Sequence, residues 1–350
     1  MRSRAAAAAL ALGVLVAGCG GSSHHRQDAS AITTTATIEA TEVPVPARAA
    51  PATARPPVQA LVTDETQNRL LIVDLPSGRV VRRIALPRDP EDIAANGGEC
   101  STAVVVSAAA GEVTVLDRET LGRRGVIGGF VAPHIPEIAP GGQYAYVTDD
   151  ARGTVTVISL ADARVTSTIE VGAGAHHLSF DPIRPLAWVA LGESARTIVI
   201  LDTSDAAHPR VTGRFDPGFE AHDLSFSPDG RRVWVTAASQ ARASVFRAAD
   251  HRLMFRVAIG PGPQHVAFAG RFAYVTSGYG RTISKVDAVT GRILRVAPAP
   301  YGSFEFDAGQ GYVVAASLLR GTLAIYNAQL GLLRVVHLAP ATREVAISTA

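Results

Sequence analysis

The chain has 350 residues, with 33 Lys and Arg against 31 Asp and Glu and a formal net charge of +2. A balance so near neutrality excludes the strongly basic surface of a nonspecific nucleic-acid binder, so any electrostatic argument has to be local. All basic residues but Lys285 are arginine, a compositional bias that carries no functional weight by itself.

Arg2 and Arg4 precede an uncharged apolar run from Ala5 to Ala17. That run is shorter than the roughly 20 residues of a membrane-spanning helix, but it suits the apolar region of a secretory signal. Val16, Ala17 and Gly18 directly before Cys19 resemble the lipobox of bacterial lipoproteins. The resemblance implies that residues 1–18 are a signal peptide and that Cys19 is lipidated as the mature N-terminus. It also implies that the protein is anchored by lipid on the extracytoplasmic side of the cell membrane. Residues 19–57 are rich in Ala, Thr and Pro and have too little apolar surface to offset ordering entropy, so they read as a disordered tether. His24 and His25 fall in it and read as solvated. With Cys19 lipidated, Cys100 has no partner for an internal disulfide and reads as a buried, inert thiol.

From residue 58 to 350 helical periodicity is almost absent, and short β-branched or aromatic runs alternate with Gly, Pro, Asp and Ser. One strand type reads "ALVT", "VVVS", "AYVT", "AWVA", "VWVT", "AYVT" and "VVAA", ending at Thr63, Ser107, Thr148, Ala190, Thr236, Thr276 and Ala316. The ends are spaced by 44, 41, 42, 46, 40 and 40 residues, so the period is steady. Two residues before each end stand Leu61, Val105, Tyr146, Trp188, Trp234, Tyr274 and Val314, expected to fill the space between sheets. A second run follows, closing in Asp74, Asp117, Asp202 and Asp287, which read as turn makers rather than catalytic groups. A third run completes the excursion outward. A fourth type ("EDIA", "PEIA", "HHLSF", "HDLSF", "QHVAF", "SFEF", "REVAI") leads back to the first. Four strands in about 42 residues, seven times, predict an all-β, seven-bladed β-propeller with four antiparallel strands per blade. The ring is expected to close by pairing of the C-terminal strand with the first strand at Val58, which removes exposed sheet edges.

The stretches Tyr144–Gly172 and Ser225–Thr236 resemble the YVTN-type (YncE-like) propeller repeats of bacterial and archaeal exported proteins. The resemblance covers nearly all of the chain after the tether. It implies the fold and an exported binding protein, and it leaves the ligand open.

In such a wheel the loops that enter each innermost strand share a face with the loops between the second and third strands. On that face His176, His177, His222 and His265 come from three consecutive blades and, with Asp223, form a candidate site for a divalent metal such as Zn, Cu or Fe. No other cofactor is indicated. The competing reading is that each imidazole orders its loop by bonding a neighbouring blade's backbone. Arg69, Arg152, Arg196, Arg242, Arg281 and Arg320 precede the next strand type in six of seven blades and are candidates for a small anionic ligand. Tyr279 and Tyr301 are candidate stacking groups. "GAGAHH" and "GPGPQH" lead into strands, so no helix N-terminus is available for phosphate. There is no GxSxG elbow and no cysteine with an evident base.

The leading expectation is therefore a lipid-anchored, monomeric binding or scaffold module, with a small anionic ligand or a protein partner at the channel mouth. The alternatives are a metal-dependent, lactonase-like hydrolase or a metalloprotein using the histidines, and single-stranded nucleic-acid binding on the arginine face. Nucleic acid is the least favoured partner.

Overall fold

In the computed structural model the structure describes residues 58–96 and 102–349. The expected signal peptide and tether, with Cys19, His24 and His25, and also Cys100, lie outside the described residues. Seven four-stranded antiparallel sheets follow one another around a ring. Each innermost strand contacts the innermost strands of both neighbours. Within every blade, the pairing between the third and fourth strands slips by one residue at the same place, so the repeat holds down to its irregularities.

The ring closes in blade 1. Its innermost strand is the C-terminal Thr342–Thr349, which pairs antiparallel with Val58–Asp64 in the register Gln59↔Ser348, Leu61↔Ala346 and Val62↔Val345. Arg334 fastens the same seam on the outside, donating to the carbonyls of Ser77 at 2.7 Å and Pro76 at 2.9 Å.

Period-two alternation sends one side of each sheet into each inter-blade space, and seven apolar clusters fill these spaces. Tyr146, Trp188, Trp234 and Tyr274 all point toward the following blade and are fully buried. Blade 2 departs from the sequence expectation: Val104, not Val105, packs toward blade 3, while Val105 faces blade 1. The strand Thr102–Ser107 ends in Ser107 opposite Glu112, the place that Asp149 takes opposite Thr154 in blade 3. The expected register was one residue late, and in a strand one residue reverses the face. The four turn aspartates accept backbone N–H groups, among them Ser77 on Asp74 at 3.0 Å, Thr120 on Asp117 at 2.9 Å and Ser204 on Asp202 at 2.9 Å. Asp287 takes those of Val289 and Thr290.

The threonine that recurs in the second strand links blades. Thr63 Oγ1 accepts from the Glu344 N–H at 2.9 Å within blade 1 and donates to the Glu91 carbonyl of blade 2 at 2.7 Å. Thr148 does the same between Ile135 and His176, Thr236 between Asp223 and Gln264, and Thr276 between His265 and Phe304. Each hydroxyl uses its donor and acceptor together, which a hydroxyl can do and an isosteric methyl cannot.

Replacing Thr236 by Val should leave a buried N–H and a carbonyl unpaired and lower stability by about 1–3 kcal/mol. Urea unfolding of the two proteins checks this: an earlier midpoint with an unchanged slope is expected, and equal midpoints would contradict the bridging role.

Candidate metal centre at the channel mouth

Those bridges hold the residues that begin each innermost strand. His134, His176 and His222 occupy one level of blades 3, 4 and 5; His177, Asp223, His265 and Glu305 occupy the next level in blades 4 to 7, and Glu344 and Asp92 continue it in blades 1 and 2. A regular strand would turn alternate residues away from the channel. The innermost strands of blades 2, 3 and 6 begin with a register shift, however, and blades 4 and 5 begin regular pairing only after the histidines. Two consecutive side chains therefore reach the hub. Gly192, at φ +55°, permits the closest approach: a Cβ there would lie 3.1 Å from the Cβ of His176.

Five imidazoles meet. Ring centroids are 4.1 Å apart for His134 and His176, 4.8 Å for His176 and His177, 5.1 Å for His177 and His222, and 4.8 Å for His177 and His265. One nitrogen from each of His177, His222 and His265 lies within 4.8 Å of the others, and the same holds for His134, His176 and His177. His177 belongs to both triads, so they form one basin.

Ring nitrogens also face carboxylates, and both of those of His265 do, since its Nδ1 is 3.8 Å from Asp223 Oδ2. His176 Nδ1 is 2.8 Å from Asp150 Oδ2, His177 Nδ1 is 3.4 Å from Asp223 Oδ1, and His265 Nε2 is 2.7 Å from Glu305 Oε1. Among the described residues none of the five rings hydrogen-bonds a backbone carbonyl; the loop contact they make is through a side chain, His176 to Asp150 of blade 3. Asp150 comes from the loop between the second and third strands of blade 3, which places that loop on the same face as the histidines.

Burial and mutual repulsion hold His134, His177 and His222 well below the ordinary imidazole value, so they are neutral at pH 7. Burial opposes charge on His265 too, but Glu305, Asp223 and Asp92 outweigh it and push this imidazole up to about 9. Burial raises the Asp223 carboxyl to about 6 and the Asp92 carboxyl to about 8, and it raises Glu344 well above the carboxylate range. Below this layer lies a channel cavity of about 310 Å³, lined by His177, Asp223, His265, Glu305 and Glu344 and, deeper, by Glu137 and Asp307. Burial pushes Glu137 up to about 8 as well.

The structure thus brings together His176, His177, His222, Asp223 and His265, all of the residues proposed from sequence as metal ligands. His134 and Glu305 were missed. In blade 3 the "PEIA" stretch that matches the other repeats begins at Pro136, two residues past His134, and in blade 7 "SFEF" begins two residues before Glu305. A signal for His134 was present: it stands twelve residues before Tyr146, as His176 does before Trp188 and His222 before Trp234.

The arginine series is dispersed among separate partners. Arg69 pairs with Asp64 at 2.7 Å and Arg196 with Asp216 at 3.2 Å, while Arg242 donates to Gln240 at 2.8 Å. Arg152, Arg281 and Arg320 are exposed. The guanidinium that acts on the hub is Arg343, 3.5 Å from Glu91. Tyr279 is exposed and packs edge-on against Phe304 with centroids 4.9 Å apart; Tyr301 lies 6.1 Å from it.

Fold and site together define a seven-bladed β-propeller with an imidazole- and carboxylate-lined hub. No protein-family profile matches the chain. No curated protein matches it either. Among solved structures it is similar to a functionally unknown protein from Desulfotomaculum acetoxidans (TM-score 0.71, 16% identity, 83% of this chain and 98% of that one). It is also similar to hydrazine synthase from Kuenenia stuttgartiensis (0.67, 13%, covering 83% and 100%). A third similar structure is apo AztD from Citrobacter koseri (0.66, 8%, covering 84% and 98%). At these identities the likeness concerns the fold alone.

The raised carboxyls set a pH dependence. Glu137 is protonated in the folded protein up to about pH 8 but ionised in the unfolded chain above its ordinary value, so stability falls as pH rises through that window. Asp92 and His265 contribute in the same direction. For chelator-treated protein the unfolding free energy, and with it the melting temperature, should fall from about pH 5 to about pH 8, with His265 extending the decline to about pH 9; the slope is at most about 1.4 kcal/mol per pH unit for each group and less where channel water screens it. Glu137→Gln should make the decline shallower, and an identical slope would contradict the assignment.

Proposed function

We propose that this propeller is a metal-binding module that holds a divalent transition-metal ion of the zinc class at the mouth of its channel. His177, His222 and His265 supply the core ligands, and His134 and His176 border the same basin. One observation carries the reading: the imidazoles converge, and a ring nitrogen of each of His176, His177 and His265 faces a carboxylate. Carboxylates in that position fix the orientation of a metal-binding imidazole and raise its basicity. The span of 4.8 Å closes, by rotation of the rings, to the about 3.4 Å between ligands of a tetrahedral zinc ion.

Retention of the ion fits better than hydrolysis. Catalytic zinc keeps three protein ligands and an open position for water, whereas here a fourth imidazole, His176, packs against both His177 and His222 and can fill that position. The lipobox-like start, lying outside the described residues, would place this hub on the extracytoplasmic side on a membrane tether. The YVTN-type likeness agrees with that setting.

Full-length protein without a histidine tag, stripped with chelator and re-equilibrated with Zn²⁺, should retain about one ion per chain by elemental analysis. Asp223→Asn, which alters the carboxylate facing His177, should weaken the affinity about 10- to 100-fold, and His177→Ala by more. Because His265 is protonated in the metal-free protein at pH 7.5, binding should release protons, seen as buffer-dependent heats in calorimetry. Protein that retains no ion, or an affinity that survives the loss of both His177 and His222, would contradict the proposal.

A further inference from the structure

The histidines come from one side of the wheel. On the opposite side, the innermost strands of blades 7, 1 and 2 bring Glu305, Glu344 and Asp92 to the same level, with one oxygen from each within 4.8 Å of the others. Asp92 is 1% exposed, and neither of its carboxylate oxygens meets an N–H or hydroxyl donor; the group that shares a proton with it is the neighbouring Glu344 carboxyl. Burial makes the ionised form of Asp92 costly, and the charge that offsets it, that of Arg343, is shared with other carboxylates.

The nearby cations are shared: Arg343 acts on Asp92, Glu91, Glu305 and Glu65 together. The ion pair of Arg343 is with Glu91, at 3.5 Å, and His265 meets Glu305 through Nε2, at 2.7 Å. Against these two cations stand four carboxylates, Glu91, Asp92, Glu305 and Glu344, so this half of the mouth carries the surplus of acid.

We infer a second cation site, formed by Asp92, Glu305 and Glu344, that takes a hard divalent ion of the calcium class. The donors are all oxygen, which disfavours zinc and copper relative to calcium or magnesium. Coordination habit favours calcium of the last two: Ca²⁺ accepts six to eight oxygens in flexible geometry, whereas Mg²⁺ demands a near-ideal octahedron and dehydrates reluctantly. The three carboxylate oxygens, within 4.8 Å of one another, would be a partial set that channel water completes. This site does not depend on the imidazole site being a metal site, although the His265–Glu305 contact joins the two.

The test is equilibrium dialysis of the stripped full-length chain against Ca²⁺, with and without saturating Zn²⁺, read by elemental analysis. About one Ca²⁺ per chain should be retained in either case, and Mg²⁺ should bind more weakly. Glu344→Gln should lower the Ca²⁺ affinity at least about tenfold by removing a charged ligand, with Zn²⁺ retention unchanged. Asp92→Asn repeats the measurement in a variant of the same shape, and thermal melting identifies which variants are folded. His222→Ala should lose Zn²⁺ and keep Ca²⁺, so failure of the imidazole site and failure of this one are separate results. No Ca²⁺ retained at millimolar concentration, Ca²⁺ binding indifferent to both carboxylate substitutions in folded protein, or one-for-one displacement of Ca²⁺ by Zn²⁺ would overturn the inference.

Discussion

The bridging threonine hydroxyls are the interaction on which the site depends. Each joins the N–H of one blade's innermost strand to a carbonyl at the start of the next, so four of the seven seams are pinned at the level of the mouth. The apolar clusters between sheets set blade spacing, but they are non-directional and would tolerate small sliding. The hydroxyl bridges are directional, and they are made to the residues that carry the site or stand beside them: His176 directly, and His265 through Gln264 on one side and Thr276 on the other.

A wheel also concentrates charge. Each blade adds two residues to the mouth, and their side chains share a volume small enough that neighbours set one another's protonation. Three imidazoles are held neutral there, while Asp92 and Glu344 are pushed toward their protonated forms. Burial of so many titratable groups in one volume is thus met by shifting most of them toward their neutral forms. The halves differ in donor chemistry, nitrogen toward blades 3 to 6 and oxygen toward blades 7, 1 and 2, which is why they read as fit for different ions.

The wheel itself was legible because it rests on repetition. The period, the aromatic at one register and the turn aspartates each recur often enough to outweigh local irregularity. Convergence of His176, His177, His222, Asp223 and His265 followed from the same count. What escaped was local register. Val104 and Val105 are chemically alike, so nothing in "VVVS" shows which one faces blade 3. His134 was passed over because "PHIPEI" carries strand-like residues on both sides of a register shift, and a bulge leaves no mark in side-chain alternation. The threonine bridges were invisible because the hydroxyl's partners lie in a different blade. The arginine pattern was real as sequence, but Asp64, Asp216 and Gln240 show that copies of a repeat acquire separate local partners.

The most direct measurement is anomalous X-ray diffraction from crystals of the full chain soaked in Zn²⁺, with data recorded on both sides of the zinc absorption edge. The account predicts one strong edge-dependent peak within bonding distance of ring nitrogens of His177, His222 and His265. A hub without such a peak, with zinc held only by surface groups such as His208 and Asp205, would contradict it.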